Sequence, residues 1–310
     1  MQHSLSFRDD RTFTITQFTD LHWQDGGALD QQTRRLMDDV LDSERPDLVV
    51  FTGDVIYTGY VKPGEPVCKQ PLQAFREAVQ AAVDRGIPWA VVFGNHDTES
   101  IVTREELMDA VLKLPHTVTQ RGPVEVHGVG NYTLTIRGAD GQDAARLVFL
   151  DSGEMSPVSH IKGYDWIRSD QIAWYKEASH AGGDLPALAF FHIPLPEYQQ
   201  AWYTSTCYGN KLENVCCPPV NSGLFAAMAE RGDVIGTFCG HDHINDYWGE
   251  LHGIRLCYGR ATGYNTYGQE GFPRGARMIR LRQDERAFET WLRLEDGTVV
   301  REQPEHKPGA

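Results

Sequence analysis

Apolar positions in this chain fall into short runs separated by amphipathic stretches. Residues 12–19 (TFTITQFT), Leu48–Thr52 (LVVFT), 89–93 (WAVVF), 146–150 (RLVFL), 188–191 (LAFF) and Val234–Cys239 (VIGTFC) are β-branched, aliphatic or aromatic runs of strand length. Helical spacing lies between them. Residues 31–44 place Leu36, Met37, Val40 and Leu41 on one face and stop before Pro46. Residues 71–85 do the same with Leu72, Phe75, Val79 and Val83, and Gly86 ends them. Residues 103–114 open with Thr103 and Glu106 in capping-box relation. Residues 169–179 and 222–229 are further predicted helices. Residues 124–136 read as a hairpin, and the region after Leu251 as strand-rich. The charged, proline-containing tail 301–310 is expected to be flexible. The alternation predicts one α/β domain over residues 1–310, with its core at about residues 12–300.

The ends of these runs carry the chemistry. Asp20-Leu21-His22, Gly53-Asp54, Gly94-Asn95-His96-Asp97, His192 and Gly240-His241-Asp242-His243 each follow an apolar run directly. Open α/β sheets build their sites outside the C-terminal strand ends, where loops converge. Asp20, His22, Asp54, Asn95, His192, His241 and His243 offer carboxylate, imidazole and amide ligands. Mixed oxygen and nitrogen donors suit Mn, Fe or Zn better than Mg or Ca. This set exceeds the needs of one ion and fits two divalent ions that share a carboxylate. Two aspartates and a bridging hydroxide leave two such ions net positive, so the pocket attracts phosphate. Ions roughly 3.5–4 Å apart can clamp phosphate oxygens during in-line displacement. His96 adjoins Asn95 and is a candidate general acid for the leaving oxygen, with Asp97 orienting it or raising its pKa. The simpler alternative is a His96 that only hydrogen-bonds phosphate.

Composition narrows the setting. The 310 residues are 41% hydrophobic and 10% aromatic, enough for a substantial core. A net charge of −14 disfavours nucleic acid and anionic lipid as partners. No run approaches the roughly 18 apolar residues of a membrane span. Met1-Gln2-His3-Ser4 lacks the start of a secretory signal, so a cytoplasmic setting is expected. Cys239 and Cys257 sit in apolar runs as small core residues. Cys207, Cys216 and Cys217 share a polar loop, where a disulfide from Cys207 to either neighbour is an open alternative. That loop, residues 203–221, could cover the pocket or be a surface insertion. Asn95, His96, Asn221, Arg260 and Tyr264 are the candidate substrate contacts, with a structural salt bridge the other reading of Arg260. Asp151 ends a strand and reads as a capping residue. His3, His116, His127, His160, His180, His252 and His306 read as surface or structural histidines.

Taken in order, the fragments D-x-H, G-D, G-N-H-D/E, H and G-H-x-H resemble the signature of the calcineurin-like metallophosphoesterases. The runs Pro46-Asp47-Leu48-Val49-Val50-Phe51-Thr52-Gly53-Asp54 and Gly240-His241-Asp242-His243-Ile244-Asn245-Asp246 are similar to the Dcr2-like, plant purple-acid-phosphatase-like branch. The resemblance runs from about residue 12 to 268. It implies a four-layer α/β/β/α sandwich of two mixed sheets flanked by helices. It also implies that Asp20, His22, Asp54 and His243 hold one ion, and Asp54, Asn95, His192 and His241 the other. Gly53-Asp54-Val55-Ile56-Tyr57 additionally matches G-D-x-x-Y, whose tyrosine binds iron in true purple acid phosphatases. Those enzymes have D-x-G where this chain has Asp20-Leu21-His22, so His22 is expected to fill the tyrosine's place. The expected activity is hydrolysis of small phosphate esters by a metal-bridging hydroxide, monoesters first and diesters as the alternative. A non-catalytic metal-binding scaffold is the reading from another class.

Overall fold

The computed structural model describes residues 4–309; His3 lies outside them. Among the described residues, two large mixed sheets face each other. The six-stranded sheet runs Val299–Val300, Phe288–Leu294, Gly275–Arg282, Thr12–Phe18, Leu48–Thr52, Trp89–Val92, and its last three strands are parallel. The nine-stranded sheet has the parallel set Asp143–Phe149, Ala187–Phe190, Val234–Cys239, Ile254–Tyr258 at its centre.

Two-residue periodicity makes the layers. Phe13, Ile15, Leu48, Val50, Ala90 and Val92 point between the sheets. There they meet Leu147, Phe149, Leu188, Phe190, Phe238 and Cys257 of the opposite sheet. The alternate residues Val49, Phe51, Trp89 and Val91 pack outward against Leu36, Met37, Val40 and Leu41 of helix Ala28–Glu44 and against Phe75, Leu107 and Met108. On the far side Val148, Ala189 and Phe191 pack against Tyr175, Tyr198 and Met228, which belong to three helices. Three apolar slabs between four layers give the expected α/β/β/α sandwich.

Several boundaries differ from the sequence reading. The first helix starts three residues early because the Asp30 carboxylate accepts the Gln24 and Gly27 N–H groups at 3.1 and 2.9 Å. The stretch 71–85 is two helices, Pro71–Ala78 and Gln80–Asp84, joined at Val79. The hairpin placed at 124–136 is instead made by Tyr132–Arg137 and Asp143–Phe149. Gly122, Gly128 and Gly130 adopt positive φ and keep the preceding stretch irregular. Helix Pro196–Thr204 has no counterpart among the expected elements; Pro196 serves as its first residue. Within the tail, Glu305–His306 pairs with Cys207–Tyr208, and the His306 ring stacks on Trp202 at 3.7 Å. All six cysteines are free thiols, so the loop 203–221 is closed by pairing with strand Trp248–Leu251 rather than by a disulfide. No helix among the described residues is long and apolar enough to cross a membrane.

Candidate metal centre

Five parallel strands deliver the ligand-type residues to one edge of the sandwich. Asp20 and His22 follow Thr12–Phe18, Asp54 follows Leu48–Thr52, and Asn95 follows Trp89–Val92. His192 follows Ala187–Phe190, and His241 and His243 follow Val234–Cys239. The turns are tight. Asp20, His22, Asp54 and His241 have φ of 54°, 50°, 50° and 76°. Left-handed backbone costs a non-glycine residue about 1 kcal/mol or more and is concentrated at functional loops. Gly94 is required by close approach, because a Cβ there would overlap the Asp54 carboxylate.

The result is two overlapping groups. Asp20, His22, Asp54 and His243 form one; Asp54, His192 and His241 form the other; within each, the ligand atoms lie within 4.8 Å of one another. Asn95 joins the second group through its Oδ1, 3.1 Å from His192 Nε2. Asp54 belongs to both. Its Oδ1 accepts the His96 N–H at 2.8 Å, while its Oδ2 lies 3.4 Å from His22 Nε2 and 3.2 Å from His192 Nε2. That Oδ2, His22 Nε2 and His241 Nε2 are buried without a hydrogen-bond partner. Buried polar atoms are normally satisfied, so orphans that converge from several strands fit divalent ions as their missing partner.

Supporting contacts fix the ligands. His192 Nδ1 donates to the Thr52 carbonyl at 2.8 Å, which leaves Nε2 as the ligand atom. Ser152 Oγ accepts the N–H groups of His192 and Ile193. Asp20 accepts the His241 N–H, and Thr266 Oγ1 bonds His243 Nδ1. Arg274 holds the Thr266 and Tyr267 carbonyls at 2.8 and 2.9 Å, so that loop is pinned beside His243.

Electrostatics follow from burial and crowding. Burial pushes the Asp54 carboxyl up, but His192 and His22 outweigh it and hold it well below the usual carboxylate range. Burial opposes charge on His192, yet Asp54 and Asp20 raise its pKa to about 9. Burial and the charge of His192 push His241 down to about 3.

The remaining sequence candidates divide. His96 stands at the site, its ring 5.0 Å from that of His22. Its partner is Glu99, with Nδ1 to Oε2 at 2.8 Å, and not Asp97 as the sequence suggested. Both Asp97 oxygens are taken by the Ile56 and Gly94 N–H groups, so Asp97 shapes the turn instead. Burial opposes charge on His96, but Asp54 and Glu99 raise its pKa above the ordinary value. Tyr57 lies beside the first group. Its ring stacks on His22 at 5.4 Å, and its hydroxyl lies toward Gly59 and Glu99, while His22 contributes its ring nitrogen to the first group. Asp151 accepts the Val129 and Gly153 N–H groups, a structural role.

The three substrate candidates are engaged elsewhere. Asn221 donates to Glu197 at 2.7 Å and accepts the Gly223 N–H. Arg260 is buried, paired with Asp246, donating to the Pro273 carbonyl and lying 3.3 Å over the Phe272 ring. The Tyr264 hydroxyl bonds Glu295. Sequence reasoning missed Glu99, Thr266, Tyr267 and Tyr164. Only Glu99, three residues past His96, carried a local signal.

The sequence model of the family described as calcineurin-like phosphoesterase matches residues 13–245. The chain belongs to that family. This calcineurin-like phosphoesterase is 35% identical over 95% of its length to "Probable inactive purple acid phosphatase 29" of Arabidopsis thaliana, covering 85% of that protein. It is 34% identical to "Phosphatase DCR2" of Saccharomyces cerevisiae over 92% of this chain and 54% of that protein. A solved dimetal phosphatase from Danio rerio shares the fold, with a TM-score of 0.59 at 14% identity, covering 90% of this chain and 98% of that one. Family and ligand cluster together identify a metal-dependent phosphoesterase, a hydrolase of phosphate esters.

Proposed function

We propose that this chain hydrolyses small phosphate monoesters at a dinuclear centre of Mn, Fe or Zn. Asp20, His22, Asp54 and His243 would hold one ion, and Asp54, Asn95, His192 and His241 the other. The observation that carries this reading is Asp54 Oδ2, buried, without a hydrogen-bond partner and flanked by His22 and His192 at 3.4 and 3.2 Å. Bound there, two divalent ions would acidify a shared water and neutralise phosphate oxygens.

The chain's own residues supply the rest. Asn95 orients a phosphate oxygen beside His192. His96 is the general acid: Glu99 Oε2 lies 2.8 Å from Nδ1 as an ion-pair partner, and Nε2 is the nitrogen that would deliver a proton to the leaving oxygen. His96 is partly exposed, as a group that meets substrate must be. Asp97 and Thr58 support this residue by fixing the backbone on either side; Thr58 Oγ1 donates to the His96 carbonyl at 2.8 Å. A complete ligand set with an ion-paired His96 favours an enzyme over a scaffold.

The test is turnover of p-nitrophenyl phosphate and of bis(p-nitrophenyl) phosphate by protein loaded with Mn. Faster turnover of the monoester is expected. Preference for the diester would replace the substrate class, and no metal-stimulated turnover of either would contradict the reading.

A further inference from the structure

Three tyrosines surround the ligand histidines, each on a different one. The Tyr57 ring stacks on His22 at 5.4 Å and 18°. The Tyr164 ring meets His241 edge-on at 4.4 Å and 89°. The Tyr267 ring lies 4.2 Å from His243. The histidines are buried to 4%, 7% and 4% exposure, whereas Tyr267 is 55% exposed and the other two are half-buried. The tyrosines therefore stand between the ligand shell and solvent. They are the aromatic surface beside the ligand shell against which the organic part of an ester can lie.

The charge around this aromatic rim is negative. Glu99 sits beside the Tyr57 hydroxyl and contacts His96. Glu213 accepts the Tyr267 hydroxyl at 2.6 Å and the Ile244 N–H at 2.8 Å, which ties the loop 203–221 to the loop after Arg260. The neighbouring arginines are committed elsewhere. Arg274 is buried behind the Thr266-Tyr267 turn, and Arg104 binds the Gly94 and Gly153 carbonyls and Asp151. Among the described residues, the ion-pair partners of Asp20, Asp54 and Glu99 are histidines, never lysine or arginine. On the rim itself a second phosphate on the substrate would thus meet the Glu99 and Glu213 carboxylates.

We infer that Tyr57, Tyr164 and Tyr267, with Glu99 and Glu213, select esters that join a single phosphate to a flat, uncharged or cationic organic group. The inference rests on the proposed dinuclear site and adds its substrate class. Faces and edges of aromatic rings attract flat groups, and two such contacts change affinity by about tenfold.

The test is calorimetric binding of non-hydrolysable probes to the Mn-loaded protein, which separates recognition from chemistry. Phenylphosphonate should bind about tenfold tighter than methylphosphonate. 1,4-Butanediol bisphosphate should compete more weakly than n-butyl phosphate for turnover of p-nitrophenyl phosphate. Tyr267→Ala should reduce the phenyl-to-methyl ratio several-fold, and Tyr267→Phe, which keeps the ring and loses the Glu213 contact, should retain it. Equal binding of the two phosphonates, or a bisphosphate that outcompetes the monoester, with p-nitrophenyl phosphate still turned over, would overturn the inference and leave the phosphatase reading intact. Failure of both phosphonates to bind, together with absent turnover, would remove the phosphatase reading itself and the inference with it.

Discussion

The two sheets contribute unequally to the metal centre. The six-stranded sheet supplies both carboxylates, the amide and one imidazole, as Asp20, Asp54, Asn95 and His22. The nine-stranded sheet supplies imidazoles alone: His192, His241 and His243. Neither edge completes a group without the other, since the first needs His243 and the second needs Asp54. Carboxylates are thus concentrated on one side of a seam, and the other side offers imidazole nitrogens alone. Bound ions would cross-link the two sheets, with Asp54 as the residue common to both positions.

The largest effect should come from that shared residue. Asp54→Asn is expected to lower both bound ions toward zero and turnover by about 10³-fold or more. His241→Ala, on the other sheet and in one group only, should cost one ion and retain the second. Equal metal loss in the two variants, read by elemental analysis, would erase the asymmetry.

His96→Ala should lower turnover by about 10²- to 10⁴-fold with both ions kept. Loss of ions in that variant would recast His96 as structural. Smaller changes, about 10- to 100-fold, are expected one contact further out. Glu99→Gln, on the six-stranded side, should lower turnover at full metal content. Thr266→Val, beside His243, should instead weaken metal affinity, so that excess Mn restores the rate. The smallest effect is on stability. Chelation of two ions present at a hundredfold over their Kd should lower Tm by roughly 8 °C. An unchanged Tm would mean that the ions do not join the sheets.

The same asymmetry explains what was legible in the sequence. Ligands at strand ends announce themselves, because an apolar run such as Val234–Cys239 is followed directly by Gly240-His241-Asp242-His243. Strands were read well for the same reason: Leu48–Thr52 and Val234–Cys239 begin and end as expected. The rim was not legible. Thr266 and Tyr267 reach His243 through a loop fixed by Arg274, and Glu213 reaches Tyr267 from more than fifty positions away. No local pattern encodes such contacts. The pairing of Arg260 with Asp246, Asn221 with Glu197 and Tyr264 with Glu295 was equally hidden, because proximity along the chain to a strand end does not say which side chains are already paired. The tail misled for a related reason: charge and proline suggested fraying, but His306 finds Trp202 and the exposed edge of Cys207–Tyr208.

The most direct test of the account is anomalous diffraction from crystals of the Mn-loaded protein. Two peaks are predicted, one among Asp20, His22 and His243 and one among Asn95, His192 and His241, with Asp54 Oδ2 touching both. A single peak, or two peaks that do not share Asp54, would contradict it.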